Sequence, residues 1–215
     1  LTTTDPLLTV AQRIRVKQNP GVGEFLTIGG ALASITDASV SKPYIVEVGP
    51  GVYNEGGLTV TPFIRIEGMN QSAAVVTPTA GTHTFTLQNR SSINNLTISG
   101  ATSTRFAAIR GNAPGDINIS NVTVESADIA FLVDASGTDT INCETHDLLA
   151  ADIANNVILC RTTGANANAR FYVDGLHFGE TPTSTTLVIL ESSGVNSMLI
   201  AMGVDVTLIT GETPF

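Results

Sequence analysis

Apolar residues recur along this chain in short alternating runs of about three to eight residues, broken by Gly, Asn, Ser, Thr or Asp. The clearest runs are Ile93-Asn-Asn-Leu-Thr-Ile98, Ile117-Asn-Ile-Ser-Asn-Val-Thr-Val124 and Ile141-Asn-Cys-Glu-Thr-His-Asp-Leu148, with degenerate copies at 171–178 and 199–206. The phrase returns roughly every 24 to 30 residues, the period of a strand-based solenoid. The pattern predicts an all-β chain, a single-stranded right-handed parallel β-helix. A β-sandwich or jelly roll would also give many short strands, but joined largely by hairpins with Asn-Gly or Asp-Gly turns. Here Asp174-Gly175 is the only such pair, and it lies inside a repeat phrase.

Only near the start does the period change. Phe25, Ile28, Leu32 and Ile35 fall on one face of a short helix over 24–35 with Thr27 as its cap. Such a helix would plug the open end of the solenoid, where bare core and unpaired strand edges need a cover. Residues 1–20 read as a lead-in containing an alternating, strand-like stretch at 10–17, and 21–215 as one β-helix domain.

Each coil must turn corners, and asparagine tolerates a left-handed backbone there while its amide can bond along the stack. Asn95 and Asn121 are the predicted ladder residues, with Gly175 and Gly203 as replacements in later copies. Asn-x-Ser/Thr sequences at Asn70, Asn89, Asn95, Asn118 and Asn121 are expected from so much Asn and Thr.

Composition narrows the function. Of 215 residues, 42% are hydrophobic and 13% charged, Trp is absent, and the net charge is −9. No basic patch replaces phosphate counterions, which argues against nucleic acid. The same charge disfavours an anionic membrane and a polyanion such as pectate, unless calcium bridges the two. The most apolar late run, at 198–204, is too short to cross a bilayer, so no membrane insertion is expected. No spacing of Cys and His implies zinc, and neither a metal nor another cofactor is expected. Cys143 and Cys160 lie in apolar runs and read as buried fillers, with a single disulfide left open. Leu1 in place of a starting Met reads as a processed product or an excised domain.

The stretch Gly23-Glu-Phe-Leu-Thr-Ile-Gly-Gly-Ala-Leu32, then Tyr44-Ile-Val-Glu-Val-Gly-Pro-Gly-Val-Tyr-Asn-Glu55 and Ile64-Arg-Ile-Glu-Gly68, resembles the opening of pectin methylesterases and related pectin-lyase-like β-helix proteins. The resemblance implies a capping helix followed by the first full coils, and covers under a third of the chain. It also implies where esterase chemistry would sit: an aspartate nucleophile, an aspartate acid/base, glutamines for the oxyanion and an orienting arginine. The nearest analogues are Asp128, in Ala127-Asp128-Ile129, and Asp147, in His146-Asp147-Leu148. The glutamine beside the first, the glycine and aromatics beside the second and the arginine phrase have no match.

The leading expectation is a non-enzymatic structural or surface-displayed β-helix module. A virion fibre, spike or capsid-associated component, or an adhesin with weak glycan binding, would fit, located extracellularly, on a cell surface or on a virion. Expected partners are a glycan or other coat or surface proteins, with a homotrimer as one assembly. The alternative is a polysaccharide-active enzyme using flank aspartates, Asp128 and Asp147 with Asp152, near Arg105, Arg110 or Arg170. A third reading is a carbohydrate-binding module attached to a catalytic domain elsewhere. Where Asp128, Asp134, Asp139, Asp147 and Asp152 fall separates these readings: clustering on one flank favours the enzyme, dispersal over turns the rod. His83, His146 and His177 lie too far apart in sequence to be given a role.

Overall fold

A computed structural model describes residues 11–163, 167–179, 186–192 and 206–209. They form a right-handed parallel β-solenoid with one short helix near its start. The first strand, β1 (Gln12–Val16), pairs in parallel with β2 (Tyr44–Val48), so the stretch read as a lead-in contains the first rung of the sheet. Residues 1–10 lie outside the described residues, as do Gly203 and 198–205.

The capping helix α1 runs Ile28–Ser34, shorter than 24–35. Thr27 takes an extended backbone and its hydroxyl accepts the Gly30 N–H, which fixes the start of the helix there. Phe25 therefore stays extended and bridges to Val16. Glu55, from a neighbouring coil, accepts the N–H groups of Ile28 and Gly29, each at 2.7 Å. A carboxylate on the first-turn amides satisfies donors that a helix cannot bond internally and meets the positive end of its dipole. The sequence reading missed this tie, because Glu55 looked like part of a coil phrase.

The solenoid then presents three faces. The first stacks β1, β2, β5 (Ile64–Gly68), the start of β8 (Ser91–Ser99) and the first segments of β10 (Gly115–Ser136), β11 (Thr140–Thr163) and β12 (Asn168–Gly179). The second stacks β3 (Gly51–Asn54), β6 (Ala74–Thr77), the end of β8, the middle of β10 and β11, then the end of β12 and β14 (Val206–Ile209). The third stacks β4 (Leu58–Val60), β7 (Phe85–Leu87), β9 (Ala107–Gly111), the ends of β10 and β11, and β13 (Thr186–Ser192). Runs that read as separate strands in the sequence, such as 117–124 and 130–133, are one continuous ladder that bends at its corners. Single left-handed residues turn the corners without breaking the hydrogen bonding on either side.

The left-handed residues stack. Asn95, Asn121 and Asp147 have φ of 56°, 51° and 51°, and Gly175 has 74°. They occupy one corner of four successive coils, flanked by the rungs Asn94–Ser120–His146–Asp174 and Leu96–Val122–Leu148–Leu176. Asn121 donates its amide to the Asn95 side-chain oxygen, and Asn95 donates to Glu67 Oε1 at 3.0 Å. Ser126 and Asp152 form the next corner in the same way, with the serine hydroxyl donating to the aspartate at 2.8 Å. Inside, Ile66, Ile93 and Ile119 stack coil on coil on the first face, and they, Ile64 and the ring of Phe131 on the third face are all but inaccessible to solvent. The cysteines are free and buried in this core. Burial pushes the Cys160 thiol up to about 12, and burial with the neighbouring Cys160 also raises that of Cys143 well above the ordinary thiol range.

Candidate functional site

The period-two alternation that buries Ile117, Ile119, Cys143 and Phe171 turns their neighbours outward on the first face. There they line a groove of about 510 Å³, walled by Arg90, Asp116, Asn118, Asn142, Glu144, Arg170 and Tyr172. A second stretch of about 370 Å³, lined by Tyr44, Phe63 and Arg65 among others, shares Arg90 and Ser92 with the first. The two run as one trough across the coils, along the solenoid axis.

Register fixes the order of the groups. Asp116, Asn142 and Arg170 are directly paired across β10, β11 and β12. Arg90 completes the row, because its N–H bonds the Asp116 carbonyl at 2.6 Å and the next residues, Ser91 and Ile117, are register partners. Asn142 donates to Asp116 Oδ1 at 2.7 Å. Arg90 lays its guanidinium over the Phe63 ring, 5.6 Å from the centroid.

Two features of the groove stand out against the rest of the chain. All ten Lys and Arg are among the described residues, and seven lie within ion-pair distance of a carboxylate: Arg13, Arg15, Lys17, Lys42, Arg65, Arg110 and Arg161. Arg90, Arg105 and Arg170 have no such partner among the described residues, and two of the three are in the groove. In addition, Arg170 Nε and Asn142 Oδ1 are buried without a hydrogen-bond partner among the described residues. A buried donor and a buried acceptor left unpaired are costly unless a ligand or water meets them.

The aspartates singled out in the sequence are dispersed. Asp128 lies at the start of the third face, nearly buried, where Oδ2 accepts the Arg105 N–H at 2.7 Å and Oδ1 accepts the Asn155 amide. It ties a loop to the sheet. Asp147 is a corner residue between the first and second faces and Asp152 a corner residue between the second and third. Asp139 sits in a turn with Ser136. Asp134 is held between Arg110, at 2.6 Å, and Arg161, at 3.1 Å, on the third face. None of these aspartates lines the groove, whereas Arg170, named among the flank arginines, does. Among the described residues no group of three or more His, Cys, Asp or Glu could hold a metal ion. No helix among them is long and apolar enough to cross a membrane.

His83 stands beside the Arg110–Asp134–Arg161 group. Its Nδ1 accepts the Ala107 N–H at 2.9 Å, and its ring meets Phe106 edge-on. Burial, then the positive charge of Arg110, holds its pKa below the ordinary 6.5. Below that value the unfolded chain binds a proton that the folded chain refuses, so stability rises with pH through this window and is lost on acidification. In His83→Phe this part of the fall should vanish, read as a flatter profile of thermal midpoint against pH below 6.5.

The sequence reading missed Arg90, Asp116, Asn142, Glu144 and Tyr172. The signal was present: each repeat carries one polar residue just before its first inward position, and aligning the repeats puts Arg90, Asp116, Asn142 and Arg170 in one row.

No protein-family model matches the chain, and no curated protein sequence matches it at significance. Solved structures do match. Pectin methylesterase PemA from Erwinia chrysanthemi superposes with a TM-score of 0.50 at 16% identity, covering 82% of this chain and 69% of that one. A pectin methylesterase variant in complex with a hexasaccharide gives 0.49 at 14% identity, covering 95% and 94%. Pectin methylesterase from carrot gives 0.45 at 11% identity, covering 93% and 88%. At such identities the likeness is one of fold. With its three stacked faces, corner ladder and N-terminal plug, the chain has the right-handed parallel β-solenoid fold of the pectin-methylesterase-like proteins.

Proposed function

We propose that the chain recognises a polysaccharide carrying acidic groups, laid along the first-face groove. The observation behind this reading is that Arg90 and Arg170, both without a carboxylate partner among the described residues, open into one trough of a chain in which acids outnumber bases. The net charge of −9 argued against a polyanion, and Asp116 and Glu144 balance the two arginines within the lining, but charge-assisted hydrogen bonds from a guanidinium act at contact, where a distant field is screened by salt. Asn118, Asn142 and Tyr172 supply the amide and hydroxyl groups that sugar hydroxyls need. An extracellular, cell-surface or virion setting goes with this reading; coat-protein partners and a homotrimer stay as expectations from the sequence.

Affinity electrophoresis of the chain in gels containing acidic or neutral polysaccharide tests the proposal. Retardation by an acidic polymer, weakened at high salt, is expected. The double variant Arg90→Gln, Arg170→Gln should lose about tenfold or more in affinity, while Arg105→Gln, outside the groove, should bind as the parent does. Equal retardation of all three proteins would overturn the reading. Assaying the same mixtures for new reducing ends, released methanol or unsaturated products decides whether recognition is coupled to catalysis.

A further inference from the structure

We infer that the groove selects a sparsely charged heteropolysaccharide, with acidic groups about three sugar rings apart, and disfavours a chain bearing an acid on every ring. The inference rests on the groove reading above and deepens it.

Arg90, Asp116, Asn142 and Arg170 come one from each of four successive coils. Parallel strands stack at 4.7–4.9 Å, so the two arginine backbones are about 14 Å apart. Arg90 leans back over Phe63, away from Arg170, which lengthens the span between the charged tips. A pyranose ring in an extended chain advances by close to one strand spacing, so at least about three rings separate groups that reach both arginines.

The lining between the arginines has the opposite demand. Asp116 offers only acceptor oxygens, one already taken by the Asn142 amide. Asn142 Oδ1 is a second acceptor, buried and unpaired among the described residues. The middle of the span therefore calls for hydroxyl donors and repels carboxylates, while its ends, with Arg170 Nε unpaired among the described residues, call for acceptors. A homopolymer of uronic acid would put a carboxylate against Asp116 whichever ring lay on Arg170. A chain with neutral rings between its acids satisfies both ends and the middle.

The test uses four β-1,4-linked glucan hexasaccharides, measured by titration calorimetry with the whole chain. One carries no uronate, one carries a uronate on every ring, one on the second and third rings, and one on the second and fifth. The last is expected to bind about tenfold more tightly than the others. Arg90→Gln or Arg170→Gln should abolish that preference, and Asp116→Asn should narrow the gap to the fully charged chain while leaving the fold intact. If the fully charged chain binds tightest, the spacing inference fails and the groove reading stands. If none of the four binds, both fail.

Discussion

Gly68→Ala is expected to cost about 3 kcal/mol or more, more than any other single methyl group added to this solenoid's corners. Gly68 ends β5 directly below Asn95 in the corner stack. A Cβ on Gly68 would lie 1.9 Å from the Asn95 carbonyl oxygen, 2.8 Å from its carbonyl carbon and 3.1 Å from Leu96 Cβ. The first two are backbone atoms, and they are where they are because Asn95 is left-handed, with φ of 56°. Relief would require moving the corner, and the corner carries the amide ladder from Glu67 to Asn121. In a chain of this size the loss corresponds to a fall of about 10 °C in thermal midpoint. Gly81→Ala is the control: its φ of 79° strains an alanine, but a Cβ there meets nothing within 4 Å. Its cost should stay near 1 kcal/mol. Similar midpoints for the two variants would show that the corner yields easily and that the ladder is not what fixes it.

The same corner shows what can be read from sequence and what cannot. Asn95 and Asn121 stood out because a left-handed backbone and an amide stack both ask for asparagine, and the repeat placed them in register. Asp147, in the next copy, belongs to the same row, but its chemistry suggested catalysis, and a single aspartate carries no mark that says corner. Asp128 misled in a similar way: it looked like an acid on a flank, yet its oxygens close a loop through Arg105 and Asn155, partners visible only once the coils are stacked. Fold was legible because hydrophobic period is local information repeated many times. The groove was not, because it depends on which outward residues of different coils stand side by side, and on which arginines lack a carboxylate. That second property is set by every charge in the neighbourhood.

Phe171→Ala is expected to cost about 3–5 kcal/mol and to weaken the groove as well as the fold. Phe171 is 1% exposed in β12, with its ring centroid 6.1 Å from that of Phe131 at an interplanar angle of 53°. Its chain neighbours Arg170 and Tyr172 face the other way, into the groove. On the first face β12 pairs with β11 on one side, and its pairing with β14 begins only at Leu176. Within the described residues Arg170 is held on the first face by its ladder to Asn142 and by the buried ring beside it. Removing the ring leaves a cavity and frees the strand end that presents the guanidinium. Phe171→Leu keeps most of the volume and should cost less than about 2 kcal/mol. Phe85→Ala separates the two effects, since Phe85 is equally buried but lies on the third face, away from the groove. Measured well below the midpoint of each variant, polysaccharide affinity should drop several-fold in Phe171→Ala and hold in Phe85→Ala, though both lose comparable stability. A matching drop in both would mean that the groove depends on the solenoid as a whole and that β12 has no special share in it.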